Sequence, residues 1–176
     1  MECLAFKPSR FLLLTVVGAV SLNAGACSSP HSQPTTSITE EPPITVPTSD
    51  NPVTAVAWVT PQSAKPGSNV DLHVRVWVAA GYHLYAAGVE PPFTPVSVKL
   101  IPCDDLLAIG PWKLSDADAD GHLTNVIDFR QQLHITPGFA VGVQEVSCEL
   151  TYQACNSELC WPPCTLRLRA SFNLRE

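Results

Sequence analysis

Near the end of the chain, Cys155 and Cys160 bracket Asn156-Ser157-Glu158-Leu159, and Trp161-Pro162-Pro163-Cys164 follows. An alternating apolar segment leads in and another leads out, so the two cysteines are expected across the mouth of a β-hairpin. The facing ends of a short hairpin loop can meet the roughly 4.4 to 6.8 Å Cα separation that a disulfide needs. The chemistry such a pair offers is thiol–disulfide exchange, in which a thiolate attacks one sulfur and the other leaves with the electron pair. Closing so small a ring constrains the unfolded chain by only about 2 kcal/mol, a modest gain for a purely structural bridge. Short bridges on loops are also the ones that visiting thiols reach and reduce. Cys155 and Cys160 are therefore the expected redox pair, with Trp161-Pro162-Pro163 stiffening one wall of their loop. The competing reading keeps the same bridge as a staple in a non-catalytic binding or scaffold domain.

Beyond Cys27 the other cysteines are Cys103, Cys148 and Cys164. Together with Cys155 and Cys160 they make an odd set that cannot all pair internally. Cys148 alternates in phase with Val146, Leu150 and Tyr152, and Cys164 with Leu166 and Leu168. Both are expected to face the core, where a bridge between them depends on register. Cys103 follows Pro102 out of phase with Val98 and Leu100 and is expected in a turn. Cys155, Cys160 and Cys164 with His83 could make a zinc set, but their spacing is not that of paired knuckles. The acidic stretch Ser115-Asp116-Ala117-Asp118-Ala119-Asp120-Gly121 lacks the closing Glu and flanking helices of a calcium loop. It reads as a solvated turn. His73, His83, His122 and His134 read as scattered strand or turn residues. No metal and no cofactor is expected.

Alternation with a period of two runs through most of the remainder. Residues 53–60 and 69–78 open the series, the second with Val70, Leu72, Val74, Val76 and Val78 on one face. Residues 82–85 form a short strand or strand end. Gly88-Val89-Glu90-Pro91-Pro92-Phe93-Thr94-Pro95 must be an ordered loop, because its prolines forbid a regular ladder. Val96, Val98 and Leu100 resume the pattern, and residues 106–114 are ambiguous. Residues 122–135 and 139–153 read as two long strands joined by Thr136-Pro137-Gly138, and residues 164–172 close the series. With no helical period anywhere, about seven or eight strands in about 120 residues indicate an all-β, immunoglobulin-like antiparallel β-sandwich.

The first residues carry Lys7 and Arg10, an apolar run and then Ala24-Gly25-Ala26-Cys27. This is the form of a secretory signal over residues 1–26. A cysteine in that place resembles a bacterial lipobox and makes Cys27 the expected lipid attachment site. Residues 27–52 are rich in Ser, Thr and Pro and cannot bury enough surface to offset their ordering entropy. They read as a flexible tether to a single domain over residues 53–176. The formal charge of -6 supplies no basic patch to meet phosphates, which argues against nucleic acid as a partner.

Tyr152-Gln153-Ala154-Cys155, a short gap and Cys160-Trp161-Pro162-Pro163 together resemble the N-terminal periplasmic domain of the membrane thiol:disulfide interchange protein DsbD. The segment Gly81-Tyr82-His83-Leu84-Tyr85 and the loop Pro91-Pro92-Phe93-Thr94-Pro95 are also similar. The resemblance implies an immunoglobulin-like domain that accepts electrons from a membrane donor and passes them to periplasmic thioredoxin-like oxidoreductases. Cys160 would form the mixed disulfide and Cys155 would resolve it, with Tyr152, Tyr85, Phe93, Trp161, Pro162 and Pro163 as supporting residues. Neither an electron-carrying membrane domain nor a thioredoxin-like domain accompanies the matched region, so a separate protein is expected to supply the electrons. In some family members an aromatic cap loop shields the cysteines, and the matching residues 116–122 contain no aromatic side chain. The implied location is the bacterial cell envelope, facing the periplasm and held to the membrane by lipid.

Overall fold

A computed structural model describes residues 46–115 and 117–176. The secretory signal, the lipid site at Cys27 and most of the tether lie outside the described residues. Among the described residues ten strands follow one another: β1 (Val53–Thr60), β2 (Ser63–Ala64), β3 (Asn69–Val78), β4 (Leu84–Tyr85), β5 (Ser97–Leu100), β6 (Leu106–Leu114), β7 (His122–Leu123), β8 (Val126–Ile135), β9 (Gly142–Tyr152) and β10 (Cys164–Leu174). They form two four-stranded sheets, ordered β1-β3-β8-β6 and β2-β10-β9-β5, and a small β4-β7 pair. Apart from the β2–β10 contact, which is parallel, the pairings are antiparallel. The described residues form an all-β, immunoglobulin-like sandwich.

The two sheets share one core, because β3, β8, β9 and β10 turn their apolar parity inward. Leu72, Val74 and Val76 of β3 with Ile127, Phe129 and Leu133 of β8 meet Val146 and Leu150 of β9 and Ala170 and Phe172 of β10. The turn over residues 61–68 holds β2, whose Ser63 and Ala64 pair with Asn173 and Leu174. Residues 122–135 are not one strand. Asn125 adopts a left-handed φ of 59°, and the kink separates β7 from β8 so that each pairs with a different sheet. Residues 139–141 lie outside the ladder, so the next strand begins at Gly142.

The ambiguous residues 106–114 are β6, an edge strand whose register slips between Ile109 and Lys113. Gly110 and Pro111 sit within the slip, where glycine takes a φ of 69° and proline withholds a ladder donor. The buried Gln131 holds the irregularity in place by donating to the carbonyls of Ile109 and Gly110, at 3.0 and 3.1 Å.

Candidate functional site

The site begins with the β9-β10 hairpin. Its ladder runs from Gly142↔Leu174 to Tyr152↔Cys164. Continued without change, it would set Cys155 opposite Trp161, yet the bridge observed is Cys155↔Cys160. The one-residue slip falls beside Pro162 and Pro163, which have no N–H to extend the ladder. Past it, Trp161 N donates to Ala154 O at 2.8 Å and Asn156 N to Leu159 O at 2.9 Å. Cys155 and Cys160 thus form a non-hydrogen-bonded antiparallel pair, the kind that brings side chains closest. Their Cα atoms are 4.0 Å apart and their sulfurs are bonded to one another. Asn156 closes the loop, its Oδ1 accepting from the amides of Glu158 and Leu159, both at 2.9 Å.

Four successive residues, Tyr152 to Cys155, are buried, which ordinary strand alternation does not produce. Tyr152 and Ala154 enter the sandwich core, and burial raises the Tyr152 pKa. Gln153 is covered by the 88–95 loop: its Oε1 accepts from Thr94 N at 2.9 Å, and its Nε2 donates to Trp161 O at 3.0 Å. Cys155 is covered by the segment that leads into β4. His83 N donates to Cys155 O at 2.9 Å, and Cys155 N donates to His83 O at 3.0 Å. The bridge is therefore asymmetric toward solvent. Cys155 is 1% exposed, whereas Cys160 is half-buried at the loop edge.

Residues opposite one another in an antiparallel pair project from the same face. His83 is opposite Cys155, and Tyr85, two residues on, is opposite His122. One face of this ribbon accordingly carries His122, Tyr85, His83, Cys155 and Cys160. The rings confirm the row. His83 stacks on His122 with centroids 4.1 Å apart, and Tyr85 sets its edge against both, at 5.1 and 5.4 Å. Phe93 leans on Tyr85 at 4.7 Å and is 39% exposed. His83 Nε2 is buried with no hydrogen-bond partner, and burial, reinforced by His122, lowers its pKa.

The structure brings together Cys155, Cys160, Tyr85 and Phe93 of the residues singled out in the sequence. Tyr152 sits deeper, in the core. Trp161 takes part through its backbone and is itself 37% exposed, beside the exposed Pro162 and Pro163. Reading the histidines as scattered missed His83 and His122. Their signal was the alternation of His83 with Tyr85, but what pairs with β4 is invisible in one sequence. Within the aromatic-free stretch, residues 118–122 form a turn in which Asp118 Oδ1 accepts from the amides of Asp120 and His122, at 3.0 and 2.8 Å.

The remaining cysteines separate by register. Cys148 faces Leu168 and Cys164 faces Tyr152, so the bridge considered between them does not form. Cys148 is a buried free thiol, pushed up to about 11 by burial. Cys103, also free, is half-buried beside Leu106. Cys155 and Cys160, each bonded to the other, do not assemble with Cys164 and His83 as a zinc set. Among the described residues, Asp118, Asp120 and His122 come together in the exposed turn, without a cysteine.

Solved structures similar to this chain include the DsbD N-terminal domain of Neisseria meningitidis in its reduced form. It is 26% identical over 69% of this chain and 85% of that one, with a TM-score of 0.35. A complex between the DsbD and PilB N-terminal domains of the same organism matches at 23% identity, over 68% and 80% of the two chains, with a TM-score of 0.30. The N-terminal periplasmic domain of ScsB from Proteus mirabilis matches at 16%, over 70% and 49%, with a TM-score of 0.40. No family model and no curated protein matches the sequence.

Proposed function

We propose that this chain is a thiol–disulfide exchange module of the bacterial cell envelope. In this reading residues 53–176 form the exchange domain, Cys27 carries a lipid, and residues 27–52 tether the domain to the membrane. The observation that carries the reading is the asymmetry of the Cys155–Cys160 bridge: one sulfur belongs to a buried residue, the other to a residue at the edge of an exposed loop. A thiolate from a thioredoxin-like partner attacks Cys160 Sγ, the S–S bond breaks, and Cys155 leaves with the electron pair. A second partner thiol then releases the partner as its own disulfide and leaves the Cys155/Cys160 dithiol. The reverse sequence passes the electrons onward. Tyr85 and Phe93 wall the approach, and Trp161-Pro162-Pro163 limits the loop's movement. The resemblance in the Cys155 and Cys160 motifs supports the same roles.

Cys155→Ala leaves a lone reactive thiol at Cys160 and is expected to trap mixed disulfides with thioredoxin-like oxidoreductases. Cys160→Ala is expected to abolish them. Titration against glutathione and dithiothreitol buffers decides between exchange and a staple. A potential below about -300 mV, where structural disulfides lie, would overturn the exchange reading.

A further inference from the structure

The exchange step places an electron pair on Cys155, the buried member of the pair. Cys148 is buried to the same 1%, and burial alone pushes its thiol up to about 11. Burial disfavours a thiolate, and exchange quickens as the leaving thiol's pKa falls. Cys155 needs a nearby cation that appears when the charge does. His83 stands opposite it in a hydrogen-bonded antiparallel pair, on the same face of the ribbon. Its Nε2 is enclosed and has no hydrogen-bond partner. Unpartnered buried nitrogens are rare and call for a role.

We propose that His83 is the proton partner of Cys155, taking up the proton that balances the thiolate released when the bridge opens. This rests on the exchange reading above and assigns the proton in it. The partner's thiol loses its proton as its sulfur bonds to Cys160 Sγ. The Cys155–Cys160 bond breaks, the electron pair stays on Cys155 Sγ, and the proton ends on the imidazole as a thiolate–imidazolium pair. When the bridge re-forms, His83 gives the proton back. In the disulfide form the ring is held neutral by burial and by His122, so it is ready to accept. The titratable and charged groups facing it are His122 across the stack, Asp118 near His122, Tyr85 at its edge and Cys155 across the backbone bridge. His122 opposes the proton and Asp118 favours it.

The test uses the full chain reduced with a phosphine, which opens the bridge whether or not any protein exchanges with it. Thiolate ultraviolet absorbance is expected to show one thiol titrating about one pH unit or more below a free cysteine. His83→Phe, which keeps a ring in the stack, is expected to move that titration up by at least as much. It should also slow exchange with dithiothreitol about tenfold at neutral pH. Unchanged thiolate titration in His83→Phe overturns the proposal. If that variant fails to fold, nuclear magnetic resonance of the His83 imidazole in the unmodified chain decides. Its pKa must rise on reduction and must fail to rise in Cys155→Ser, and any other pattern overturns the pairing. Failure of the parent reading is distinct: the unmodified bridge would then resist dithiothreitol while the phosphine-reduced titration still reports on His83.

Discussion

Gln153 joins the loop that bears the cysteines to the loop that walls it, through Thr94 on one side and Trp161 on the other. Gln153→Ala would leave an amide and a carbonyl without partners in a largely buried place, at a cost of about 2 kcal/mol. Urea denaturation should show that loss, and a change within about 0.5 kcal/mol would mean that the two loops are held by something else. His73 and His83 each have a pKa lowered chiefly by burial. Both are therefore neutral in the fold, while in the unfolded chain they protonate near pH 6.5. The sign follows: their stabilisation is intact above about pH 6.5 and is lost as pH falls through the lower folded values. Urea midpoints measured at stepped pH should decline over that range, and decline less steeply in His83→Phe. An equal slope in both proteins would show that His83 is not a linked group.

Among the strands, β6 shows most clearly how backbone chemistry shapes an edge. Leu107, Ile109 and Leu114 are exposed along it, and the slip at Gly110 and Pro111 interrupts the flat edge on which another chain could add. A Cβ at Gly110 would meet nothing within 4 Å, so Gly110→Ala tests backbone strain alone. A left-handed alanine costs roughly 1 to 2 kcal/mol. The unfolding midpoint should fall accordingly, and no fall would mean that the edge relaxes to another path. The β4-β7 ribbon belongs to this scale as well. It is only two residues wide on each strand, yet Leu84 and Leu123 anchor it in the core while His83 and His122 face the other way. The disulfide loop is thus supported by a small element fixed to the sandwich.

At the scale of the whole molecule the sandwich, not the Cys155–Cys160 bridge, holds the fold. Leu133 and Leu150 are fully buried on facing sheets, and Leu→Ala at such positions costs about 2 to 5 kcal/mol. Opening the Cys155–Cys160 ring releases only about 2 kcal/mol. Reduction with a phosphine should therefore leave the near-ultraviolet circular dichroism of the core nearly unchanged, while Leu150→Ala lowers the urea midpoint by the larger amount. Unfolding on reduction alone would reverse this ranking and make the bridge a staple. Among the described residues no helix is long and apolar enough to cross a membrane.

Local chemistry determined a good deal by itself. A period of two fixes which side chains share a face, so β1, β3 and the inward Cys148 were legible, and the spacing of Cys155 and Cys160 was enough to expect a hairpin bridge. Register and pairing between distant strands depend on the summed packing of the core, which no local pattern encodes. Only the tertiary structure separated Cys148 from Cys164, broke residues 122–135 at Asn125, made residues 106–114 an edge, and set His83 opposite Cys155. Each of these is a contact between segments far apart in the chain, decided by what the opposing strand places there.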